Sequence, residues 1–359
     1  MNLEKIQASD YPIFIGRNVF VEFHEFLVTN YAKSKKFILV DENTHRHCLK
    51  AIDLEVPHLQ NAEIIAIDSG EENKKIEVAI GLWETLIDRG ADRQSLLINL
   101  GGGVIGDLGG FVASTFKRGI DFINLPTTLL AMVDASVGGK VGIDFQHLKN
   151  QIGVFSNPKA VFIYPKFLKT LDRMHLLSGF AEAIKHALIY DAEFWEDVQK
   201  AELTNRSSVT KIILHSVEIK NDIVNEDWQE KGARKTLNFG HTIGHAIESY
   251  FLEEGDSILH GEAVAIGIVC EAYISHKTMG MSEKQLEVIT SFINANYEHY
   301  SFSQRMYHRF IELMKSDKKN QHGQINFTLL KEIGQAEINQ TCKSDTIIEA
   351  LDYYRSSAI

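Results

Sequence analysis

Short apolar runs at residues 36–40, 63–67, 96–100 and 122–125 alternate with longer stretches of mixed polarity. In one of these stretches, 75–89, the apolar positions recur at helical spacing. Aliphatic runs bounded by polar or glycine-rich segments are strand-like, and their alternation with amphipathic helices predicts a parallel sheet. After a last run at 161–164 the strand pattern stops, and helical periodicities occupy 181–189, 207–224, 240–251 and 262–275. The chain therefore reads as an α/β domain over 1–160 followed by a mostly α-helical domain over 161–359, with Pro158 and Pro165 punctuating the boundary. Neither an internal repeat nor a low-complexity segment is visible.

The run at 96–100 leads directly into Gly101-Gly102-Gly103-Val104-Ile105-Gly106-Asp107 and then into helix-like sequence. That order suits a phosphate cradle. Glycines permit positive φ and close backbone approach, and the helix N-terminus behind them offers free N–H donors and a positive dipole end. A glycine loop also arises wherever a helix packs closely on a strand. Asp41, ending the run at 37–40, is placed either to accept hydrogen bonds from a ribose or to cap the next helix.

Composition narrows the function. With 359 residues, 44% of them hydrophobic, the chain can bury a substantial core and suggests two domains. Its 48 acidic against 37 basic residues leave a net charge of -11, which argues against a nucleic-acid surface and for a small-molecule partner. Cys48, Cys270 and Cys342 have no paired spacing, so no disulfide framework or cysteine zinc site is expected, and the cytoplasm is the expected compartment. No secretory leader or membrane span is expected either.

Three further segments carry candidate chemistry. In the stretch from Pro126 to Lys140, Thr127 and Thr128 offer hydroxyls to phosphate oxygens, and Gly138-Gly139-Lys140 follows Asp134; Lys149-Asn150 lies just beyond. The plainer alternative for this stretch is a helix with glycine packing. In the helical half, Glu182, His241, His245 and His260 are metal-ligand types. His241 and His245 are spaced to share one helical face, and two histidines with a carboxylate leave an open position on Zn2+. Which of the histidines touch metal, spacing does not say. Finally Lys185, Lys220, Arg234 and the Lys318-Lys319 pair, with Asn238, suggest a pocket for a substrate carrying both phosphate and carboxylate.

Taken together, the GGGVIGD loop, PTTLLAMVDASVGGK, the Lys149-Asn150 pair, AEAIK, NFGHTIGHAIE and LHGEAVAIG resemble, in order and over nearly the whole chain, the 3-dehydroquinate synthases among the sugar phosphate cyclases. The resemblance implies an N-terminal Rossmann-like NAD domain, a C-terminal helical domain, an active site in the cleft between them, and a homodimer. It makes Glu182, His241 and His260 the ligands of a divalent metal, zinc or cobalt, and leaves His245 for polar or proton-transfer work. Asp134, Lys140, Asn150, Lys185, Lys220, Arg234 and Asn238 match substrate-contacting positions. Arg118 matches an arginine that reaches the neighbouring subunit's phosphate site, and Lys318 or Lys319 a further anion contact. NAD falls to Asp41, Glu71, Lys74, Gly102, Gly103, Val104, Asp107, Thr127, Thr128, Lys140, Lys149, Thr170 and Leu171. Two departures stand out: Arg173-Met174-His175 lacks an expected proline and acidic residue, and the loop before His260 is lengthened.

The family's reaction turns 3-deoxy-D-arabino-heptulosonate 7-phosphate into 3-dehydroquinate and phosphate, in the shikimate pathway to aromatic amino acids. NAD takes a hydride only temporarily, which acidifies the neighbouring C–H so that phosphate can leave; the hydride returns and an intramolecular aldol closes the ring. Alternatives are a sister cyclase making a valiolone or inosose, a metal-dependent polyol dehydrogenase of the glycerol dehydrogenase type, and a non-catalytic dinucleotide-binding regulator. The cationic residues argue against a polyol, and Asn238, His245 and the Lys318 pair favour the dehydroquinate type.

Overall fold

The computed structural model describes residues 3–146, 148–315 and 324–358. The chain begins with an antiparallel hairpin, β1 (Leu3–Gln7) and β2 (Pro12–Gly16), followed by α1 (Val19–Tyr31). Then come β3 (Lys36–Asp41), α2 (Glu42–His47), α3 (Leu49–Glu55), β4 (Glu63–Ile67), α4 (Ile76–Asp88), β5 (Leu96–Gly101), α5 (Gly103–Thr115) and β6 (Asp121–Pro126). A second hairpin, β7 (Lys140–Phe145) and β8 (Leu148–Phe155), precedes β9 (Val161–Ile163). The helical part holds α6 (Arg173–Tyr190), α7 (Ala192–Gln199), α8 (Arg206–Glu226), α9 (His241–Glu253), α10 (His260–Met279), α11 (Glu283–Asn296) and α12 (Tyr307–Lys315). A hairpin of β10 (Phe327–Glu332) and β11 (Gln335–Gln340) and a final helix, α13 (Ser344–Ser356), complete it.

Seven strands form one sheet in the order β1-β2-β9-β6-β5-β3-β4, parallel except for the β1/β2 pair. β4 lies on one side of β3 and β5 on the other, so the winding reverses between β3 and β5. In such sheets, ligands bind beyond the carboxyl ends of the strands at that reversal, where this chain places Asp41 and the glycine loop. α4 and α5 supply Leu82, Leu86, Ile105, Leu108, Phe111 and Val112 to a core cluster with Phe37, Leu39, Leu97 and Phe122 of the sheet. Each such buried side chain contributes roughly 1.5–3 kcal/mol.

The periodicity located β3, β4, β5, β6, β9 and the long helices but missed three hairpins. β1/β2 was not anticipated. The Pro126–Lys140 stretch is not a glycine-packed helix: a π-helical turn at Ala131–Ala135 leads through Gly138 and Gly139, both at positive φ, into β7. Nor does strand structure end at 164, because β10 and β11 pair late in the chain. In β11 the apolar alternation is short, only Ala336 and Ile338, and both are half-buried, so it is a weak signal in the sequence.

The chain divides into two compact units, 1–172 with 202–225 and 173–201 with 226–359. This differs from the expected split at 160: the proline-rich segment and most of α8 belong with the sheet. Asn221 of α8 donates from Nδ2 to the Gln7 carbonyl at 3.4 Å, and Lys220 bonds at Asp134, which ties the helix to the first unit. In the second unit, α10 is buried nearly all round and contacts α6, α9, α11 and α13. A helix apolar on every side is a core helix, and this one is the spine of the second unit. No helix among the described residues is long and apolar enough to cross a membrane.

Candidate active site

In the first unit the glycine loop connects β5 to the first turn of α5. None of Gly101, Gly102 and Gly103 has positive φ, so the sequence argument from left-handed backbone does not hold here. Space is the reason instead. A Cβ on Gly101 would lie 2.4 Å from the Ile105 Cβ, and one on Gly102 would lie 3.0 Å from the Thr128 methyl. A hollow beside the loop is lined by Gly101, Gly102, Gly103, Gly106, Pro126, Ala131 and Ser136, with Asn99 and Asn124 beneath. Small residues and α5 amides around it fit a pyrophosphate. Thr127 is buried and its amide donates to the Gly101 carbonyl, whereas the Thr128 hydroxyl accepts from the Ala131 amide at 3.2 Å.

Asp41 caps the next helix through one carboxylate oxygen, which does not decide its expected part in NAD binding. Its Oδ1 accepts from the Thr44 amide at 2.7 Å and its own amide donates to the Thr44 hydroxyl, a reciprocal cap on α2. Five other expected residues form one ionic group. Lys74 Nζ lies 2.6 Å from both Asp107 Oδ2 and Asn150 Oδ1 and 3.9 Å from Glu71, which also sits 3.7 Å from Lys149. Burial opposes the Lys74 charge, but Asp107 and Glu71 outweigh it and raise its pKa above the ordinary lysine value. Asn150 adopts φ 53, and its amide donates to Asp144. Separately, Lys220 donates to the Asp134 carbonyl at 2.6 Å and pairs with its carboxylate at 2.8 Å. Lys140 is exposed at the start of β7, Val104 is the second residue of α5, and Thr170 and Leu171 end the turn after β9. Arg118 is exposed in a tight turn where Lys117 and Arg118 both have positive φ.

In the second unit, three helices converge. Glu182 comes from the middle of α6, while His241 and His260 open α9 and α10. Glu182 Oε1 lies 3.4 Å from His241 Nε2 and 3.3 Å from His260 Nε2. α9 and α10 come this close because glycines face each other: a Cβ on Gly267 would sit 1.9 Å from the Gly240 carbonyl oxygen. His245 lies one turn on from His241, and donor atoms of His241, His245 and His260 fall within 4.8 Å of one another.

Charged neighbours favour the ionised form of the Glu182 carboxylate. Glu182 is 1% exposed; burial opposes its ionisation, but Lys185, paired with its other oxygen, and His241 outweigh that and hold the carboxyl well below its ordinary range. Burial lowers the His241 pKa below the ordinary histidine value, although Glu182 acts the other way, and its Nδ1 lies 3.0 Å from the Phe239 carbonyl. For His260, burial is outweighed by Glu248 and Glu182, and its pKa is pushed up to about 10. Glu182 Oε1 faces the two histidine nitrogens, and Oε2 faces Lys185. Separations of this size match the edge of a tetrahedron, about 3.3–3.4 Å for metal bonds of about 2.0–2.1 Å. The donor set therefore fits a divalent metal.

Arg234 and Asn238 lie on the turn before α9. Arg234 is 2% exposed and donates to the Trp228 carbonyl at 2.7 Å, and Asn238 donates to Glu230 at 3.2 Å. Lys318 and Lys319 lie outside the described residues. Sequence reasoning missed Glu248, Glu271 and Asp227, which hold the site residues in place. A signal existed for the first two: Glu248 follows His241 and His245 at helical spacing on one face, and Glu271 is a lone carboxylate in an apolar run.

Profiles described as 3-dehydroquinate synthase N-terminal and C-terminal match residues 64–178 and 179–320. The chain belongs to the 3-dehydroquinate synthase family. A 3-dehydroquinate synthase of Parabacteroides distasonis is 46% identical over 351 residues, 97% of this chain and 99% of that one. Among solved structures, 2-epi-5-epi-valiolone synthase of Streptomyces hygroscopicus subsp. jinggangensis, with NAD+ and Zn2+ bound, matches with a TM-score of 0.85 at 22% identity over 99% of each chain. A 2-deoxy-scyllo-inosose synthase complexed with carbaglucose-6-phosphate, NAD+ and Co2+ gives 0.84 at 24% identity, again over 99% of each. These two likenesses establish a shared fold.

Proposed function

We propose that this chain converts 3-deoxy-D-arabino-heptulosonate 7-phosphate into 3-dehydroquinate and phosphate, with NAD and a divalent metal, zinc or cobalt, as resident cofactors. The observation that carries this reading is the meeting of Glu182 with His241 and His260 at 3.4 and 3.3 Å in a chain of this family. The first unit's glycine loop, Asp41, Glu71, Lys74, Asp107, Thr127, Thr128, Lys149, Thr170 and Leu171 hold NAD; Glu182, His241 and His260 hold the metal. When bound, NAD supplies a reversible hydride acceptor and the metal a Lewis acid for a substrate oxygen.

The remaining groups belong to the substrate. Lys140, Arg234 and Asn150 bind its anionic ends, and Asn238 orients a hydroxyl or carboxylate. Lys185 pairs with Glu182, and Lys220 with Asp134. His245, one helical turn from His241, exchanges a proton with a substrate hydroxyl, while the leaving phosphate itself takes the nearby C–H proton. The chain acts as a homodimer in which Arg118 serves the neighbouring phosphate site. Two features support that: the strained, exposed turn at Lys117 and Arg118, and the exposed Phe145, Ile152, Val154 and Phe155 on the β7/β8 hairpin.

The test mixes purified protein with the heptulosonate phosphate, NAD and Co2+, and follows inorganic phosphate and NADH together. Phosphate release without NADH accumulation is expected. Stoichiometric NADH would instead mark a dehydrogenase, and no turnover at all would end the proposal.

A further inference from the structure

His241 is the first residue of α9, so the position of its ring depends on where the backbone of residues 240–243 is held. The first amides of a helix have no partner within it, and a Ser, Thr, Asp or Asn at the preceding position commonly supplies one. Here that position is Gly240, at φ 78, where a Cβ would meet the Ile268 side chain at 2.7 Å. No local side chain can cap α9. The cap comes instead from α10: Glu271, fully buried, accepts from the Gly240 amide at 2.7 Å on one oxygen and from the Ile243 amide at 3.0 Å on the other.

This arrangement does more than close a helix end. The two amides flank His241, and the carboxylate that grips them belongs to the helix that begins with His260. Facing contacts order the two helices antiparallel, with Gly240 at Gly267, Gly244 at Ala263, and Glu248 reaching His260. A buried carboxylate is unfavourable unless fully compensated, and here two charge-assisted bonds and the positive end of α9 compensate it. We propose that Glu271 is a positioning residue of the metal centre, setting the register of α9 on α10 and with it the spacing of the His241 and His260 donors about Glu182. The inference rests on the metal reading above.

Glu271→Gln keeps the shape but turns one acceptor into a donor that faces an N–H. The experiment strips the full-length protein of metal and titrates it with Co2+ against a competing chelator. In parallel it records the visible cobalt spectrum and NAD affinity by fluorescence. The expected result is a Co2+ Kd raised about 10–100-fold with an altered spectrum, and an NAD Kd unchanged within about twofold, since a general loss of structure would move both. Glu271→Asp, which keeps the charge but withdraws it by one methylene, should recover part of the affinity; should the Gln variant not fold, a weakened Co2+ Kd in the Asp variant decides the matter. Parent-like Co2+ binding in the Glu271 variants, with binding lost in His241→Ala, overturns this inference alone. Parent-like binding in His241→Ala overturns it together with the metal reading.

Discussion

His260 is held between two carboxylates: Glu248 Oε2 lies 3.2 Å from its Nδ1, while Glu182 Oε1 lies 3.3 Å from its Nε2. A carboxylate on the distal nitrogen fixes ring orientation and tautomer and strengthens the other nitrogen as a ligand. Glu248→Gln should therefore weaken metal binding about tenfold or more, measured by chelator competition, with NAD affinity unaltered. An unchanged metal Kd would remove Glu248 from the site.

The close approach of α9 and α10 leaves no room for a methyl at Gly267. Gly267→Ala should destabilise the protein by at least about 1–3 kcal/mol in denaturant unfolding and weaken the metal site. Gly81→Ala on α4, where an added Cβ meets nothing within 4 Å, should be neutral or stabilise by up to about 1 kcal/mol. Equal effects at the two positions would contradict the packing argument.

Lys74 is the hub of the ionic group that joins Asp107, Glu71 and Asn150. Lys74→Met leaves Asp107 without its charged partner, and breaking a buried pair in this way costs on the order of 3 kcal/mol. NAD affinity should fall more than tenfold in a fluorescence titration. Binding within twofold of the parent would show that this group serves folding alone.

Asp227 anchors the turn that carries Arg234, accepting from the amides of Gly232 at 2.6 Å, Lys231 at 3.0 Å and Arg234 at 3.1 Å. Partial burial acts to raise its pKa, but these bonds outweigh it and hold the carboxyl below its ordinary value of 3.8. A depressed folded-state pKa means that the stabilisation is complete above the ordinary value and is lost as pH falls through the folded one. Amide exchange at Gly232 and Arg234 should thus accelerate, beyond the intrinsic rate, only below about pH 4. Asp227→Asn should show the fast exchange at neutral pH. Equal protection in parent and variant would refute the anchor.

If Arg118 acts across a dimer, two inactive variants should complement. Subunit exchange between Arg118→Ala and His241→Ala leaves one intact site in each hybrid dimer, about a quarter of parent activity at random mixing. Mixtures no more active than their components would place Arg118 outside the neighbouring site.

Local pattern made much of this protein legible. Runs such as 63–67 and 96–100 marked parallel strands, and the strand, glycine loop and helix order marked the cradle, because side-chain periodicity and glycine content act over a few residues. Glu182, His241 and His260 were recognisable by residue type and by the resemblance their motifs carry. Tertiary structure alone decided the rest. Glu182 meets the two histidines because glycines let α10 close on both α9 and α6, and a contact between helices has no period in either one. The same holds for Glu248, Glu271 and the return of α8 to the sheet unit: each depends on which buried face meets which, and a linear pattern does not specify that.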